Sequence, residues 1–389
     1  MIERTAKEAL LRLASQFPVV GITGPRQSGK STLAKMAFPH KKYVTLDDRA
    51  MQELAKANPM DFLLAFPNGA IIDEVQKVPE LFDAIKYYVD NEAFAPGKYI
   101  LTGSNQFNLK QNMTDSLAGR VAFIKLMPLS LGELRNVDLL EKNAYENILK
   151  GCYPPLFDNE KHFLPEDWFT SYIDTYLDLD VEKQINYSNL SEFKKFIQIC
   201  AIYSGQMISM GNIARNVGVS APTIKQWLSI LESSYIIHFL HPDSNNLGKT
   251  LVKSPKLYFC DSGLLCHLLR IESVEELLLS QYKGAIVETF AVNEMMKSRL
   301  NKGKNANLTF FRDNKGFEID TIADWKHSFA IEIKSTIEAD KKLSKNLQQY
   351  LSLCESDGCK GAVFYLGELT CRINGIDYVS WRDWPDFTE

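Results

Sequence analysis

The 389-residue sequence has no apolar segment long enough to cross a bilayer. It also lacks the uninterrupted apolar block of a secretion signal, because Glu3 and Glu8 interrupt the first apolar positions. Its seven cysteines never fall at a two-residue spacing, which disfavours a zinc ribbon or a redox pair. These absences predict a cytoplasmic protein without a membrane partner.

Neither sign of charge dominates the sequence. Its 44 basic and 48 acidic residues leave a net charge of -4, which argues against a surface coated by nucleic acid but allows a local basic stripe. A chain of 389 residues is too long for one ordinary core, so two to four domains are expected.

The segment GPRQSGKS has the spacing of a phosphate-binding loop, between a predicted strand, PVVGIT, and a predicted helix, STLAKMAF. The two glycines allow the backbone to wrap a phosphate, and the helix N-terminus faces its negative charge. Lys30 is expected to reach the β and γ phosphates of ATP, and the Ser31 hydroxyl to ligate Mg²⁺. The alternative is a glycine turn with a chance lysine. The predicted ATP-binding residues here are Gly24, Pro25, Arg26, Gln27, Ser28, Gly29, Lys30, Ser31 and Thr32.

Two carboxylates follow a second apolar strand that begins at Ala70. Asp73 is expected to hold the magnesium through its water shell, and Glu74 to orient and deprotonate the attacking water, the division of roles that phosphoryl transfer requires. In the simpler interpretation both acids only open the turn before the next helix.

Two further polar residues are candidates for contact with the γ-phosphate. Asn105 follows the strand KYILTGS, whose end also carries Thr102 and Ser104. Arg120 is a candidate to reach the γ-phosphate of a neighbouring subunit, which would imply a homo-oligomer, and a surface salt bridge is the alternative.

The segments GPRQSGKST, YVTLDD, IIDEVQKVPEL, LTGS and SLAGRVAFIKLMPLSLGEL resemble one prokaryotic family of uncharacterised AAA+ ATPases. In that family a helical lid follows, and GCYPPLF with SYIDTYLDLDV resembles it. Leu179 stands where an arginine is common, and this departure weakens the case for an arginine sensor in the lid.

The stretch from residue 193 to 240 predicts a winged helix: a helix, the short helix MGNIARNV, the turn GVS, the helix APTIKQWLSILESS and a β-rich end. In a DNA-binding module the exposed start of the second helix enters the major groove. Its candidate contacts are Ser220, Thr223, Lys225 and Gln226. Only Lys225 among them is basic, so a packing module between domains stays an open alternative.

Further along, SPKLYFCDSGLLCHLL and KGAIVETFAVNEMMK resemble the C-terminal domain commonly fused to this ATPase family, which implies a PD-(D/E)XK nuclease-like fold. Under that resemblance Glu288, Asp320 and Glu332 are candidate Mg²⁺ ligands, and Asp320, Glu332 and Lys334 are candidate catalytic residues. Independently, Glu332 and Lys334 are two apart on a predicted strand and so face the same side. The alternative is a hairpin whose charged side chains simply pair.

The sequence thus predicts an α/β chain with four parts: a P-loop AAA+ domain at 1–135, a small helical lid at 136–190, a winged helix at 191–245 and a PD-(D/E)XK-like α/β domain at 246–389. Its expected function is Mg²⁺-dependent ATP hydrolysis driving a DNA-associated C-terminal domain, itself a candidate nuclease. The alternatives are a nucleotide-gated switch that binds DNA or protein without cutting, and a transport or signalling ATPase with a protein partner. The expected cofactors are ATP and Mg²⁺, and double-stranded DNA is a candidate partner.

Overall fold

The computed structural model describes residues 2–91, 93–103, 117–158, 160–176, 185, 189–243, 252–354 and 358–387. Its contacts divide the chain into two compact units. The first unit comprises Met1–Leu129, Ser233–Tyr235 and Arg299–Asn305. The second comprises Ser130–Glu232, Ile236–Ser298 and Ala306–Glu389. The predicted division into four parts differs from these units and stays a prediction.

The first unit alternates strands and helices. Its elements are α1 Ala6–Ala14, β1 Val19–Thr23, α2 Lys30–Ala37, β2 Lys42–Thr45, α3 Arg49–Ala57, α4 Pro59–Leu64, β3 Ala70–Asp73, a 3-10 turn Val75–Lys77, α5 Glu80–Asn91, β4 Tyr99–Gly103 and β5 Val121–Lys125. The five strands form a parallel sheet in the order β2-β3-β4-β1-β5. Parallel neighbours require crossover connections, and the helices from α2 to α5 supply them between β1 and β4.

Apolar residues on both faces hold this sheet. Every residue of β1, β3 and β4 is buried, which explains their nearly continuous apolar sequences. Successive side chains point to opposite faces, so Val19 and Ile72 join one core cluster while Val20 and Ile71 join the other. The rigid sheet therefore fixes the loops that leave its carboxyl edge.

The second unit contains a nine-stranded mixed sheet. Its elements are α6 Leu131–Arg135, α7 Ala144–Lys150, a 3-10 turn Pro154–Phe157, α8 Pro165–Tyr176, α9 Leu190–Ile202, β6 Gln206–Met207, α10 Met210–Val217, α11 Ala221–Ser233, β7 Ile237–Pro242, β8 Lys256–Phe259, α12 Ser262–Leu268, α13 Val274–Leu279, α14 Lys283–Leu300, β9 Leu308–Arg312, β10 Glu318–Asp324, β11 Ser328–Lys334, a 3-10 turn Lys341–Ser344, α15 Lys345–Leu353, β12 Lys360–Tyr365, β13 Cys371–Ile373, β14 Ile376–Ser380 and α16 Trp384–Phe387. The strand order is β13-β14-β12-β11-β10-β9-β7-β8-β6.

Two stretches of this unit bear on the sequence predictions. From α9 to β8 the order is helix, strand, helix, helix and two strands, with β8 pairing to both β6 and β7. From α14 to β12 the order is helix, three antiparallel strands, helix and a strand parallel to β11. The named folds assigned to these stretches stay predictions. Across the described residues, no helix combines the length and the apolar character needed to span a membrane.

Candidate nucleotide-binding site and C-terminal ion cluster

The loop after β1 has a backbone that glycine makes possible. Gly24 has φ of +149°, and a Cβ there would lie 2.1 Å from the carbonyl oxygen of Leu126. Gln27 and Gly29 also have positive φ, at 60° and 92°. Three left-handed or strained positions within six residues bend the chain into a tight cradle at the start of α2.

The lysine of the loop is buried inside this cradle. Lys30 is 6% exposed, and its Nζ donates to the carbonyl oxygens of Gly24 (3.0 Å) and Pro25 (2.7 Å). Each carbonyl thereby accepts from a charged donor, the stronger kind of hydrogen bond. The ammonium is therefore held at the centre of the loop that would wrap the phosphates.

The carboxylate of Asp73 joins three elements. Its Oδ1 accepts from Ser31 Oγ at 2.9 Å and from Thr102 Oγ1, and its Oδ2 accepts from Tyr43 OH at 2.7 Å. Burial raises the pKa of Tyr43 to about 12, and the neighbouring Asp73 adds to the shift. Although β4 lies between β1 and β3, the structure thus brings the two predicted magnesium ligands, Ser31 and Asp73, into direct contact.

Glu74 begins the turn after β3 in an unusual conformation. Its φ of 55° lies in the left-handed region, which is uncommon for a residue with a side chain. Its Oε2 accepts a hydrogen bond from Gln76 Nε2. Such backbone outliers cluster at functional sites, because the surrounding fold must support their cost.

Two other residues, Arg120 and Asn105, were predicted to contact the nucleotide. Arg120 donates from Nε and NH2 to the carboxylate of Asp90, the NH2 bond being 2.9 Å, and from NH1 to Ala118 O. The surface salt bridge considered above is therefore present, and the role of Arg120 towards a neighbouring subunit stays a prediction. Asn105 and Leu179 lie outside the described residues.

An arginine that the sequence did not single out stabilises the loop by hydrogen bonds to backbone carbonyl oxygens. Arg4 is 5% exposed, and its NH1 donates to Ser28 O at 2.6 Å. Its NH2 donates to Met127 O at 2.7 Å and more weakly to Pro128 O at 3.4 Å. One guanidinium therefore joins the phosphate-binding loop to the segment after β5.

In the second unit, β10 and β11 bring together the predicted catalytic residues Asp320, Glu332 and Lys334. Lys334 Nζ contacts the carboxylate of Glu332 and lies 3.8 Å from Asp320 Oδ2. Asp320 Oδ2 also accepts from Ile333 N at 2.8 Å. Burial, with the Asp320 carboxylate nearby, raises the pKa of Glu332 to about 8. The same contacts agree with the alternative interpretation, in which charged side chains on adjacent strands simply pair.

Glu288, the third predicted metal ligand, faces a buried lysine. Its Oε1 accepts from Lys256 Nζ at 2.8 Å and from Tyr258 OH at 2.6 Å. Lys256 contacts Glu318 as well, and Arg312 NH1 forms an ion pair with Glu318 Oε2 at 2.7 Å. Burial raises the pKa of Glu288 to about 7.

The charged residues just described form one network, called here the C-terminal ion cluster: Lys256, Glu288, Arg312, Glu318, Asp320, Glu332 and Lys334. Burial alone would lower the pKa of Lys256, but Glu288, Glu318 and Asp320 raise it above its ordinary value. Within the described ranges, no group of three or more histidine, cysteine or acidic side chains is arranged to hold a metal ion. The metal role of Glu288, Asp320 and Glu332 stays a prediction.

Family models match three segments of the chain. Residues 16–135 match an AAA domain, 141–275 match a domain of unknown function (DUF8612), and 283–384 match another (DUF4143). The first match coincides with the parallel sheet and the phosphate-binding loop. Residues 16–135 form an AAA-like domain of the P-loop class. The α/β class and the AAA-like P-loop domain expected from the sequence are thereby confirmed.

Three uncharacterized proteins are similar in sequence to much of the chain. Uncharacterized proteins of Mycobacterium tuberculosis and Mycobacterium bovis are each 28% identical over 372 residues, which is 95% of this chain and 81% of theirs. An uncharacterized protein of Haemophilus influenzae is 25% identical over 278 residues, or 63% of this chain and 68% of its own.

Solved structures give a weaker likeness. A Walker-type ATPase of Pyrococcus abyssi is 15% identical, with a TM-score of 0.47 over 68% of this chain and 94% of that one. RuvB of Thermotoga maritima is 15% identical, with a TM-score of 0.31 over 60% of this chain and 85% of that one. AMPPCP-bound DnaA from Aquifex aeolicus is 16% identical, with a TM-score of 0.28 over 58% of this chain and 85% of that one.

Proposed function

We propose that the AAA-like domain binds ATP with Mg²⁺ and hydrolyses it at the carboxyl edge of its sheet. The contact of 2.9 Å between Ser31 Oγ and Asp73 Oδ1 carries this proposal. It places a hydroxyl and a carboxylate together at the end of a phosphate-binding loop. Mg²⁺ favours oxygen ligands and takes few of them from the protein, so these two residues fit the ion.

Each residue of the site has a defined part in the proposed reaction. Lys30 exchanges its bonds to the loop carbonyls for phosphate oxygens, while the backbone amides at the start of α2 face the phosphate charge. Mg²⁺, when bound, neutralises charge that develops on the phosphates. Glu74 orients the attacking water and accepts its proton. Asp73, held by Tyr43 and Thr102, keeps a fixed position throughout.

The dependence of ATP affinity on Mg²⁺ tests whether the contact between Ser31 and Asp73 marks the magnesium site. Asp73→Asn is expected to bind ATP with little benefit from Mg²⁺, whereas the wild type binds it more tightly as Mg²⁺ is added. Lys30→Ala is expected to lose ATP binding with or without the ion. Asp83→Asn, a change of the same kind on α5, serves as the control. If Asp73→Asn responds to Mg²⁺ as the wild type does, the assignment of the metal site is wrong.

We further propose that the second unit associates with double-stranded DNA through the start of α11. The exposed side chains of Lys225 and Gln226 support this, since they face solvent while Ile224 and Trp227 are buried. Ser220 Oγ accepts from Thr223 N at 3.2 Å, so Ser220 caps the helix. Lys225→Ala is expected to lower the salt dependence of DNA binding by about one unit of slope. An unchanged slope would contradict this proposal and favour the alternative, in which the helix serves only in packing.

Two of the possible outputs of ATP hydrolysis each have an observation in their favour in the second unit. The grouping of Asp320, Glu332 and Lys334 favours a nuclease. The engagement of Glu288 by Lys256 favours a nucleotide-gated switch that does not cut.

Incubation with double-stranded DNA and Mg²⁺, followed on a gel beside the ATPase rate, separates these outputs. Cleavage that is lost in Lys334→Ala but kept in the exposed control Lys345→Ala supports the nuclease. DNA-stimulated hydrolysis without cleavage supports the switch.

A further inference from the structure

We infer that the ammonium group of Lys256 takes the position of a divalent cation in the C-terminal ion cluster, so that the cluster is assembled without a metal. This inference deepens the proposed switch of the second unit. It does not depend on whether the AAA-like domain hydrolyses ATP.

The ammonium lies where three elements of the second unit converge. Lys256 is on β8, and its Nζ lies 2.8 Å from Glu288 Oε1 on α14 and in contact with Glu318 on β10. Its side chain is only 3% exposed. A buried lysine is retained where carboxylates compensate its charge, and both of these carboxylates contact it directly.

Two of the carboxylate oxygens that a metal ion could use already accept hydrogen bonds. Glu288 Oε1 also accepts from Tyr258 OH at 2.6 Å, so this oxygen has two donors. Asp320 Oδ2 accepts from the backbone at Ile333. Glu332 Oε1 is buried without a hydrogen-bond partner, which leaves this carboxylate one oxygen that is not engaged. A divalent cation bound at Glu288 Oε1 or Asp320 Oδ2 would therefore have to displace these donors.

The charges of the cluster are nearly balanced without an added ion. Its cations are Lys256, Arg312 and Lys334, and its carboxylates are Glu288, Glu318, Asp320 and Glu332. Three positive charges therefore face four acids. A divalent cation added beside the buried ammonium would bring two like-charged groups together in a largely buried site, where repulsion is less screened than at the surface. The buried lysine thus makes metal uptake unfavourable.

Direct measurement of Mn²⁺ binding tests the inference. The full chain is used without nucleotide, and every protein carries Asp73→Asn to remove the carboxylate of the AAA-like domain. Bound Mn²⁺ is counted by electron paramagnetic resonance. The parent is expected to show no submillimolar site. Adding Lys256→Met is expected to create a site whose affinity for Mn²⁺ is at least tenfold higher than that of any site in the parent. The exposed change Lys345→Met is expected to create none.

A second variant keeps the inference testable if the single change Lys256→Met does not fold. Lys256→Met combined with Glu318→Gln removes one charge of each sign and leaves Glu288, Asp320 and Glu332 as ligands, so it should fold where the single change does not. Circular dichroism melts report folding. A parent that binds Mn²⁺ tightly and loses it on Asp320→Asn would overturn the inference. So would a folded double variant that binds Mn²⁺ no more tightly than the parent.

Discussion

Arg4 offers a test of how the phosphate-binding loop is supported. Its guanidinium donates to Ser28 O and Met127 O, 2.6 and 2.7 Å away, and all of these groups lie in the first unit. Arg4→Ala removes both bonds and leaves two carbonyl oxygens without this donor. The loop itself is not altered in sequence, so any loss of ATP binding would come from its support.

The size of the effect follows from the two short bonds. A hydrogen bond from a charged donor contributes about 1.5–3 kcal/mol net, so losing two should lower the free energy of unfolding by about 3–6 kcal/mol. That is a large part of the roughly 5–15 kcal/mol that stabilises an ordinary domain. Arg4→Lys should fall between alanine and wild type, because one ammonium cannot reproduce the planar fork of a guanidinium.

Urea denaturation and titration with a fluorescent ATP analogue measure the two consequences. We expect Arg4→Ala to unfold at lower urea and to bind the analogue at least tenfold more weakly, a loss of about 1.4 kcal/mol. Arg12→Ala is the matched control, because Arg12 also donates to a carbonyl, Lys302 O at 3.1 Å, but is exposed. If Arg4→Ala costs no more stability than this control and binds ATP normally, the supporting role is refuted.

Three further changes test other contacts. Tyr43→Phe removes the bond to Asp73 Oδ2 and should lower the free energy of unfolding by about 1–2 kcal/mol, measured by urea denaturation; no change would mean that this bond contributes nothing. Gly24→Ala should abolish ATP-analogue binding, because its Cβ would lie 2.1 Å from a backbone carbonyl oxygen; normal binding would show that the cradle tolerates a side chain. Lys297→Met leaves the buried carboxylate of Glu294, 2.7 Å from the lysine, without its cation, and should cost about 3–5 kcal/mol in a thermal melt; a melt like that of the wild type would contradict this.

Local sequence patterns were sufficient to predict the strand and the helix on either side of the phosphate-binding loop. The strand predicted as PVVGIT is β1, Val19–Thr23, and the helix predicted after the loop is α2, Lys30–Ala37. Both follow from apolar runs and glycine spacing that operate within a few residues. The contact of Ser31 with Asp73 was implied in the same way, since both follow strands of one parallel sheet.

Long-range partners could not be predicted in this way. Arg4 bonds to residues 24 and 123 positions away, and an isolated arginine before a helix gives no sign of that. Lys256 lies 32 residues before Glu288, and its burial depends on how β8 packs beside α14. A lysine that opens the apolar strand KLYF was the one available signal. Pairing of this kind depends on tertiary packing, which periodicity does not encode.

The rate of ATP hydrolysis by Glu74→Gln, beside the wild type in Mg²⁺, tests the central proposal most directly. We expect the variant to bind ATP as tightly as the wild type and to hydrolyse it at least about 100-fold more slowly, because a general base contributes about 10²–10⁴ in rate. Glu80→Gln, at the exposed start of α5, should hydrolyse ATP normally. Hydrolysis by Glu74→Gln at the wild-type rate, or no hydrolysis by the wild type, would contradict the proposal.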